Sequence, residues 1–251
     1  MSNLNGQVAL VTGGGQGVGL GIAQALAAAG AHIVITGRDE AKLRTAAATI
    51  ATHGVEVLTV VADGRRRASA QQAVATAVAR FGRLDVLVNN AQSSVPGVAL
   101  EDLTDEQIAM TLESGLLATL YFMQAAFAHM KERGGSIINL GSREGVIGGK
   151  GFGIYAATKE GVRGLSRSAA REWGRHGIRV NVINPAALSP AAITYLEQHP
   201  DYAKELTAAI PLGRLGDPAG DIGPVAVFLA SAESRYLTGQ TLNADGGQVM
   251  L

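Results

Sequence analysis

Short apolar runs rich in β-branched residues alternate along this chain with longer stretches of helical periodicity. The runs predicted as strands are Gln7–Thr12, His32–Thr36, Val55–Val61, Leu84–Asn89, Ser136–Leu140, Ile178–Ile183 and Gln240–Asn243. Predicted helices lie between them, the longest over about Asp105–Lys131 and Ile154–Gly174. The runs are almost continuously apolar, as expected of parallel strands covered on both faces. The alternation predicts an α/β fold: a Rossmann-type, doubly wound, seven-stranded parallel sheet with helices on both faces.

Length and composition favour one large domain without covalent cross-links. A chain of 251 residues can form a single α/β domain with a substantial core, so one domain over residues 1–251 is expected. Within it, residues 186–216 are predicted to form a mobile substrate loop, because this long segment holds Pro190, Pro200 and Pro211. The absence of cysteine excludes thiol nucleophiles, disulfides and Cys-ligated zinc, and no histidine has metal-ligand spacing.

The charge balance bears on possible partners. Lys and Arg number 21, as do Asp and Glu, so the net charge is zero and no nucleic-acid or anionic-membrane partner is expected. The longest apolar stretch, Leu116–Ala128, is shorter than the roughly 20 residues of a membrane span. The N-terminus shows no signal-peptide pattern. These features predict a cytoplasmic protein that acts on a small molecule.

A glycine-rich segment, Thr12–Gly19, lies between the first predicted strand and the first predicted helix. Glycine allows a tight turn and a close approach of a pyrophosphate to backbone N–H groups at the helix N-terminus. The alternative is a plain turn in a chain that holds 33 glycines. The position directly after the first strand favours a dinucleotide-binding loop.

Tyr155 and Lys159 are four residues apart near the start of a predicted helix, so they share one face. A tyrosine has a pKa near 10, and a neighbouring ammonium is expected to lower it, which would make Tyr155 a general acid/base. The alternative is an ordinary helix-surface pair. Ser142 follows the fifth predicted strand and is expected at the carboxyl edge of the sheet, where ligands bind in such folds.

Taken together, these motifs resemble those of the classical short-chain dehydrogenase/reductase family over the whole chain. The matching pieces are TGGGQGVG at Thr12–Gly19, NNA at Asn89–Ala91, Ser142, YAATK at Tyr155–Lys159, RVNVINP at Arg179–Pro185 and TGQTLNADGG at Thr238–Gly247. The spacing of Tyr155 and Lys159 is unlike that of the divergent enoyl-reductase branch. The resemblance implies hydride transfer between a nicotinamide and a carbonyl or alcohol carbon.

The resemblance also implies roles for the catalytic residues. Tyr155 would protonate the carbonyl oxygen in reduction and deprotonate the alcohol in oxidation. Ser142 would hydrogen-bond the same oxygen. Lys159 would lower the pKa of Tyr155 and hold the ribose hydroxyls of the nicotinamide half. The alternative function is a cofactor-binding sensor or scaffold without redox turnover.

Asp63 would contact the adenine, Asn90 and Ala91 would line the path to the nicotinamide, and Pro185 and Leu188 would face its ring. The complete predicted cofactor set is Gly13, Gly15, Gln16, Gly17, Val18, Gly19, Arg38, Asp63, Gly64, Asn90, Ala91, Tyr155, Lys159, Pro185 and Leu188. Two alternatives stay open: Asp63 as a turn former, and Asn89 as a brace within the sheet.

The end of the second strand bears on which cofactor is used. An NAD site usually places an acid there to accept from the ribose 2′-hydroxyl. This chain has Arg38, whose guanidinium can pair with a 2′-phosphate, while Asp39 is expected to cap the next helix. NADP(H) is therefore predicted over NAD(H). Gln16 tempers this prediction, because some NADP-type members of the family carry a second basic residue there.

Three positions depart from the family pattern. Gln92 replaces the glycine of NNAG, Ala186 replaces the glycine after Pro185, and Gly115 falls where the family has an asparagine that helps hold a water of the proton relay to Lys159. A water or the Ser114 hydroxyl could substitute. Replacing Gly115 by asparagine is therefore expected to raise turnover or leave it unchanged.

The substrate and the assembly are less constrained. Candidates for an apolar substrate pocket are Phe152, Val95, Leu188, Ile193, Tyr195 and Leu196. Arg143 and Glu144 are expected either to form a solvated ion pair at the rim or to contact a polar substrate. The resemblance suggests a homotetramer or homodimer packed through the two long predicted helices.

Overall fold

Seven parallel strands form one sheet in the part of the chain that the structure, a computed structural model, describes: residues 3–187, 193, 196–198 and 200–250. The strand order is β3-β2-β1-β4-β5-β6-β7. The strands are β1 (Val8–Thr12), β2 (His32–Gly37), β3 (Val57–Val61), β4 (Val86–Asn89), β5 (Gly135–Leu140), β6 (Ile178–Pro185) and β7 (Thr241–Ala244). The predicted doubly wound sheet is confirmed.

Helices connect the strands on both faces of the sheet. They are α1 (Gly17–Ala28), α2 (Glu40–Ala51), α3 (Arg67–Phe81), α4 (Asp105–Leu112), α5 (Ala118–Met130), α6 (Arg143–Ile147), α7 (Gly153–Trp173), α8 (Pro200–Ala208) and α9 (Gly223–Ala230). The 3₁₀ turns are Leu100–Asp102, Gly174–His176 and Ala232–Ser234, and the π turns are Glu113–Leu117 and Pro218–Ile222. The long helix predicted over 105–131 is thus interrupted by a π turn at its centre, and α6 was not predicted.

The alternation of side chains along β1 explains the two cores. Ala9 and Val11 pack with α1, α2 and α9 on one face, whereas Val8 and Leu10 pack with α3, α5 and α7 on the other. All four side chains are almost fully buried. Burial on both faces favours the apolar, β-branched composition that made these strands predictable, since each such side chain contributes roughly 1.5–3 kcal/mol.

The strand order reverses at β1, whose neighbours in the sheet are β2 and β4. Connections leave β1 and β4 in opposite directions, which opens a crevice at the carboxyl ends of these strands. The carboxyl end of β6 lies at the same edge, and Ala187 forms an isolated parallel bridge with Gly216 beyond it. Part of the predicted mobile loop lies outside the described residues.

The described residues form neither a membrane-spanning helix nor a cluster of metal ligands. None of the helices there combines the length and the apolar character needed to cross a bilayer. Nor does the same part of the chain bring three or more histidine, aspartate or glutamate side chains into an arrangement that could hold a metal ion.

Candidate active site

The loop between β1 and α1 forms one end of a groove of about 440 Å³, lined there by Gly13, Gly15 and Gly17. Gly13 and Gly17 have φ angles of +67° and +56°, a backbone region that other residues disfavour. α1 begins at Gly17 without a side-chain cap. Its first backbone N–H groups therefore lie beside the groove without a side-chain cap, an arrangement suited to a pyrophosphate.

Gln16 and Val18 also line the groove, whereas Gly19 does not. A Cβ at Gly19 would lie 2.4 Å from Asn90 Nδ2 and 2.5 Å from the Gly13 carbonyl oxygen. Gly19 therefore lets the loop pack closely against Asn90 and contributes no surface to the groove itself.

Hydrogen bonds from the residues after β4 hold the loop between β1 and α1 in place. Asn90 donates from Nδ2 to the Thr12 carbonyl oxygen (2.9 Å), and the backbone N–H groups of Asn90 and Ala91 donate to Thr12 Oγ1 at 3.0 and 3.1 Å. Asn90 and Ala91 also line the groove. Asn89 donates to Asn139 Oδ1 on β5 at 2.8 Å, so the interpretation of Asn89 as a brace within the sheet is supported by the geometry.

Two cations line the groove beyond the end of β2. Arg38 is one, and Lys42 on the first turn of α2 is the other. Lys42 Nζ donates to Gln16 Oε1 at 2.9 Å, which links α2 to the phosphate loop. Asp39 caps α2 by accepting from the Lys42 backbone N–H at 3.0 Å, as expected.

Sequence reasoning missed Lys42. The sequence did contain an indication of this residue. Asp39 was expected to cap the next helix, and a cap at Asp39 places Lys42 on the first turn of α2, close to the end of β2.

Asp63 and Gly64 also line the groove, after β3. Both Asp63 carboxylate oxygens accept from the Arg65 guanidinium, the shorter contact being 2.7 Å, and Oδ1 also accepts from the Arg65 backbone N–H. The hydrogen bonds from Arg65 and the nearby charge of Arg38 hold the pKa of Asp63 below its ordinary value, against partial burial. Asp63 is therefore a turn former in this structure. If an adenine also bound to Asp63, its carboxylate would have to accept hydrogen bonds from both the adenine and Arg65.

Ser142, Tyr155 and Lys159 come together beyond the carboxyl end of β5. Ser142 is the N-cap of α6, and its Oγ accepts from the Glu144 backbone N–H at 3.1 Å. Lys159 Nζ donates to the Leu140 carbonyl oxygen at 2.7 Å and lies 5.6 Å from the centre of the Tyr155 ring. These three side chains are grouped as the sequence predicted, but they do not line the groove of the phosphate loop.

The pKa of Tyr155 is raised above 10.0, opposite to the expectation from the sequence. Burial is the main cause, because it disfavours the phenolate; the hydrogen bond with Ser142 lowers the pKa and the charge of Glu144 raises it. Among the described contacts, Lys159 Nζ donates to the Leu140 carbonyl oxygen and makes no hydrogen bond to the Tyr155 hydroxyl.

Lys159 is 5% exposed, and burial lowers its pKa to about 7. The folded protein therefore binds fewer protons than the unfolded chain between about pH 7 and the ordinary lysine pKa of 10.5. Stability that depends on this group is complete above the unfolded pKa and is lost as the pH falls through the folded pKa.

We expect the stability of the wild type relative to Lys159→Met to rise with pH between about 7 and 10, because methionine removes the buried amine. The limiting slope is about 1.4 kcal/mol per pH unit. Urea unfolding at several pH values measures it. Lys131→Met, at the exposed end of α5, is the control for replacing a lysine by methionine at the surface. An equally flat difference for Lys159→Met would contradict the lowered pKa.

Pro185 ends β6, where it pairs with Ala244 of β7. It lies at the carboxyl edge of the sheet, but it does not line the groove of the phosphate loop. Leu188 lies outside the described residues, as does Tyr195 among the candidates for the substrate pocket. The predicted roles of Leu188 in cofactor binding and of Tyr195 in substrate binding stay predictions.

Arg143 and Glu144 form an ion pair of 3.4 Å whose side chains are only 31% and 20% exposed. The predicted ion pair is therefore present, but its two side chains are only partly exposed to solvent. A Cβ at Gly149 would lie 1.7 Å from Glu144 Oε2, so the carboxylate is packed against that glycine. Since the charge of Glu144 reaches Tyr155, this carboxylate belongs to the immediate surroundings of the site.

Gly115 lies in the π turn between α4 and α5, packed against α7. A Cβ there would be 2.4 Å from Thr158 Cγ2 and 2.9 Å from Gln92 Nε2. This crowding reverses the expectation for asparagine at 115, which should disturb the site and lower turnover. Ser114 cannot readily take over a relay role, because its hydroxyl is bonded to the backbone of Ser93 and Met110.

Comparison with known proteins places this site in a family. A family profile described as "Enoyl-(Acyl carrier protein) reductase" matches residues 13–248. The 12α-hydroxysteroid dehydrogenase of Clostridium sp. (strain ATCC 29733 / VPI C48-50) is 41% identical, with 98% of each chain covered. The 3-oxoacyl-(acyl-carrier-protein) reductase FabG of Escherichia coli (strain K12) is 36% identical, covering 99% of this chain and 100% of its own.

Solved structures of other proteins share the fold of this chain. Levodione reductase superimposes with a TM-score of 0.93 at 32% identity, covering 98% of both chains. A blue fluorescent protein from a metagenomic library, in complex with NADPH, superimposes with a TM-score of 0.89 at 35% identity, covering 99% of this chain and 100% of its own.

Fold, motifs and relatives define an oxidoreductase with a Rossmann-type sheet. More particularly, the chain belongs to the short-chain dehydrogenase/reductase family. The relatives named above act on different substrates, so membership shows the type of reaction and leaves the substrate open.

Proposed function

We propose that this protein is an NADP(H)-dependent oxidoreductase that transfers hydride between the nicotinamide and a ketone or secondary alcohol, with Tyr155 as the general acid/base. The observation that carries the proposal is the grouping of Ser142, Tyr155 and Lys159 at the edge of the sheet that also holds the phosphate-loop groove. The groups needed for proton transfer and for orienting the reacting oxygen are thus near one another.

The groove suits a dinucleotide. The uncapped start of α1 offers backbone N–H donors, and Arg38 and Lys42 supply positive charge where a 2′-phosphate would lie. Asn90, Ala91, Asp63 and Gly64 would line the remainder. When bound, the nicotinamide supplies or accepts the hydride.

The side chains of the site would act on the substrate oxygen. In reduction, the Tyr155 hydroxyl gives its proton to the carbonyl oxygen; in oxidation, the phenolate takes a proton from the alcohol. Ser142 hydrogen-bonds this oxygen and orients it. Lys159 stabilises the phenolate while it is charged, and each reduction then draws one proton from solvent to restore Tyr155.

The test is a broad carbonyl panel with NADPH consumption followed by absorbance. A hydroxysteroid-derived ketone and a 3-oxoacyl thioester belong in it, because relatives are named for such substrates. Turnover above that of Tyr155→Phe supports the proposal. Tight NADPH binding without such turnover favours the alternative function, a cofactor-binding sensor or scaffold. The departures from the family pattern at Gln92, Ala186 and Gly115 are the observations that favour this alternative.

We expect Arg38→Ala to raise the Kd for NADPH by about 10- to 100-fold, the equivalent of losing charged hydrogen bonds worth roughly 1.5–3 kcal/mol. The Kd for NADH should change little. Isothermal titration calorimetry with both cofactors measures this difference. Arg44→Ala is the matched control, because Arg44 is on α2 but pairs with Glu40 in solvent. Tighter binding of NADH than NADPH to the wild type would refute the cofactor assignment.

The proposal also covers the substrate pocket around Tyr155 and the oligomeric state of the protein. Among the candidates for the substrate pocket, Phe152 packs against Tyr155 with ring centres 6.0 Å apart, whereas Ile193 is 41% exposed. If only cationic substrates turned over, Glu144 would be the leading contact. A cytoplasmic homotetramer or homodimer stays a prediction, and a monomer in light scattering at micromolar concentration would contradict the assembly.

A further inference from the structure

The groove of the phosphate loop extends beyond β2 and β3, on the side of the sheet away from the catalytic side chains. In the sheet, β1 lies between these two strands and the pair β4 and β5, and the catalytic side chains lie beyond β5. A dinucleotide with its pyrophosphate at the start of α1 and its nicotinamide towards Tyr155 would therefore place its adenine near β3. The residues after β3 that line the groove are Ala62, Asp63, Gly64 and Arg65.

The acceptor capacity of the Asp63 carboxylate is taken up by Arg65. Oδ1 accepts from the Arg65 backbone N–H and from Nε, both at 3.1 Å. Oδ2 accepts from Nε at 3.1 Å and from Nη2 at 2.7 Å, so the Nε–H is shared between the two oxygens. A carboxylate offers about four lone-pair positions. The amino group of an adenine, which is a donor, would therefore find no free acceptor on Asp63.

The same contacts hold the Arg65 guanidinium in a fixed place and leave some of its donors free. Nη1 forms no hydrogen bond within the described residues, whereas Nε and Nη2 are bonded to Asp63. The side chain of Arg65 is 37% exposed, and it lines the groove. The charge of Glu113 acts on Arg65, but in the described part of the chain the two form no ion pair. The groove therefore presents a hydrogen-bond donor to a base at this point.

Adenine and hypoxanthine differ in what they present to such a donor. Adenine carries an amino group at C6, which donates, whereas hypoxanthine carries a carbonyl oxygen there, which accepts. Guanidinium groups pair with the O6 and N7 acceptors of a 6-oxopurine, and acidic side chains accept from the amino groups of bases. A free carboxylate at position 63 would thus select adenine, but a carboxylate covered by a guanidinium would not.

We propose that Arg65 determines the base selectivity of the cofactor site: its guanidinium covers Asp63, so that the site does not select adenine over hypoxanthine. This inference rests on the proposed function, because it concerns the nucleotide half of the same cofactor. Arg65 donates to the acceptor edge of the purine, and Asp63 is a positioning residue that holds the guanidinium. Affinity then comes from the pyrophosphate and the 2′-phosphate, which a hypoxanthine cofactor shares with NADPH.

The competing arrangement is displacement of Arg65 by the adenine amino group. Displacement would exchange a charged pair with contacts to both carboxylate oxygens for a hydrogen bond from one neutral donor. Hydrogen bonds between two charged groups are roughly twice as strong as neutral ones, and a planar guanidinium matches the geometry of a carboxylate. The structure therefore favours a guanidinium that stays on Asp63 when the nucleotide binds.

The first test is calorimetric titration of the wild type with NADPH and with reduced nicotinamide hypoxanthine dinucleotide phosphate. This measurement needs no turnover. Because the two nucleotides differ only in the purine, the contributions of their phosphates cancel in the ratio of the two Kd values. We expect the Kd values to agree within about threefold, a difference of well under the free energy of one charged hydrogen bond.

Variants of Arg65 should create the selectivity that the wild type lacks. Arg65→Leu frees the Asp63 carboxylate, so NADPH should bind about tenfold or more tightly than the hypoxanthine analogue. Arg65→Lys keeps the charge but loses the planar fork, and it should show an intermediate preference. Adding Asp63→Ala to Arg65→Leu should abolish the preference, which would assign it to the carboxylate.

Arg66→Leu is the matched control, because Arg66 is the next residue, is exposed and does not line the groove. It removes the same charge without freeing Asp63. Any general electrostatic weakening should therefore change both Kd values alike and leave their ratio as in the wild type. A change of the ratio in Arg66→Leu as large as that in Arg65→Leu would contradict a specific role of Arg65.

The outcomes separate this inference from the proposed function. A wild type that prefers NADPH over the hypoxanthine analogue by more than about threefold overturns the inference, since adenine would then reach an acceptor. An unchanged ratio in Arg65→Leu overturns it too, and a wild type that binds neither nucleotide refutes both proposals. A wild type and variants that show the expected ratios but reduce no carbonyl support the role of Arg65 while refuting the proposed function.

Discussion

Tyr155→Phe should remove nearly all turnover while leaving NADPH binding intact. The substitution deletes one hydroxyl group and keeps the ring, so its packing against Phe152 is retained. General acid/base catalysis contributes about 10²–10⁴-fold in rate, and a loss within this range is expected in kcat. Initial rates on the best substrate of the carbonyl panel, together with calorimetric titration of NADPH, measure the two quantities separately.

Tyr236→Phe is the matched control, because Tyr236 is fully exposed and lies away from the described site. It should behave as the wild type in both measurements. Turnover of Tyr155→Phe within a few-fold of the wild type would show that another group supplies the proton. The assignment of Tyr155 would then be wrong even if Ser142 and Lys159 proved essential.

The raised pKa of Tyr155 gives this prediction a pH dependence. In the apo protein the phenol is the favoured form, since burial and Glu144 both disfavour the phenolate. Reduction requires the phenol and should therefore persist up to alkaline pH, whereas oxidation requires the phenolate and should rise with pH. The pH profiles of kcat/KM in the two directions report this difference.

Most of the fold was predictable because parallel strands that are buried on both faces must be apolar along their whole length. The segment that forms β5 shows this: its bounds, Gly135–Leu140, differ by one residue from the prediction, and Ile137 and Ile138 are fully buried on opposite faces. The π turn in the long helix was not predictable, since it depends on how Gly115 packs against Thr158 of a distant segment. Periodicity within one helix carries no such information.

The candidate site divides in the same way. Ser142, Tyr155 and Lys159 were predicted from their spacing, their strand-end position and the family resemblance, and the structure brings the three side chains together. What the sequence could not show is which partner each polar group takes. The Arg65 guanidinium donates to the Asp63 carboxylate, and the Leu140 carbonyl oxygen, rather than the Tyr155 hydroxyl, accepts from Lys159 Nζ. Such choices depend on distances of a few tenths of an ångström, which residue spacing does not determine.

Gly19→Ala is expected to destabilise the protein by about 2 kcal/mol and to weaken NADPH binding at least about tenfold. The new methyl group would meet Asn90 Nδ2 at 2.4 Å and the Gly13 carbonyl oxygen at 2.5 Å. Relief of this contact must displace the Asn90 amide from its hydrogen bonds to Thr12 and Gly13. Because these bonds hold the phosphate loop, stability and cofactor affinity should fall together.

Gly164→Ala separates this packing effect from the general preference of helices for alanine. Gly164 lies inside α7, and a Cβ there has nothing within 4 Å, so alanine should stabilise the protein by about 0.5–1 kcal/mol. Urea unfolding and NADPH titration of both variants measure the contrast. If Gly19→Ala proved as stable as Gly164→Ala and bound NADPH as the wild type does, the close contact between the phosphate loop and Asn90 would not be what holds the loop in place.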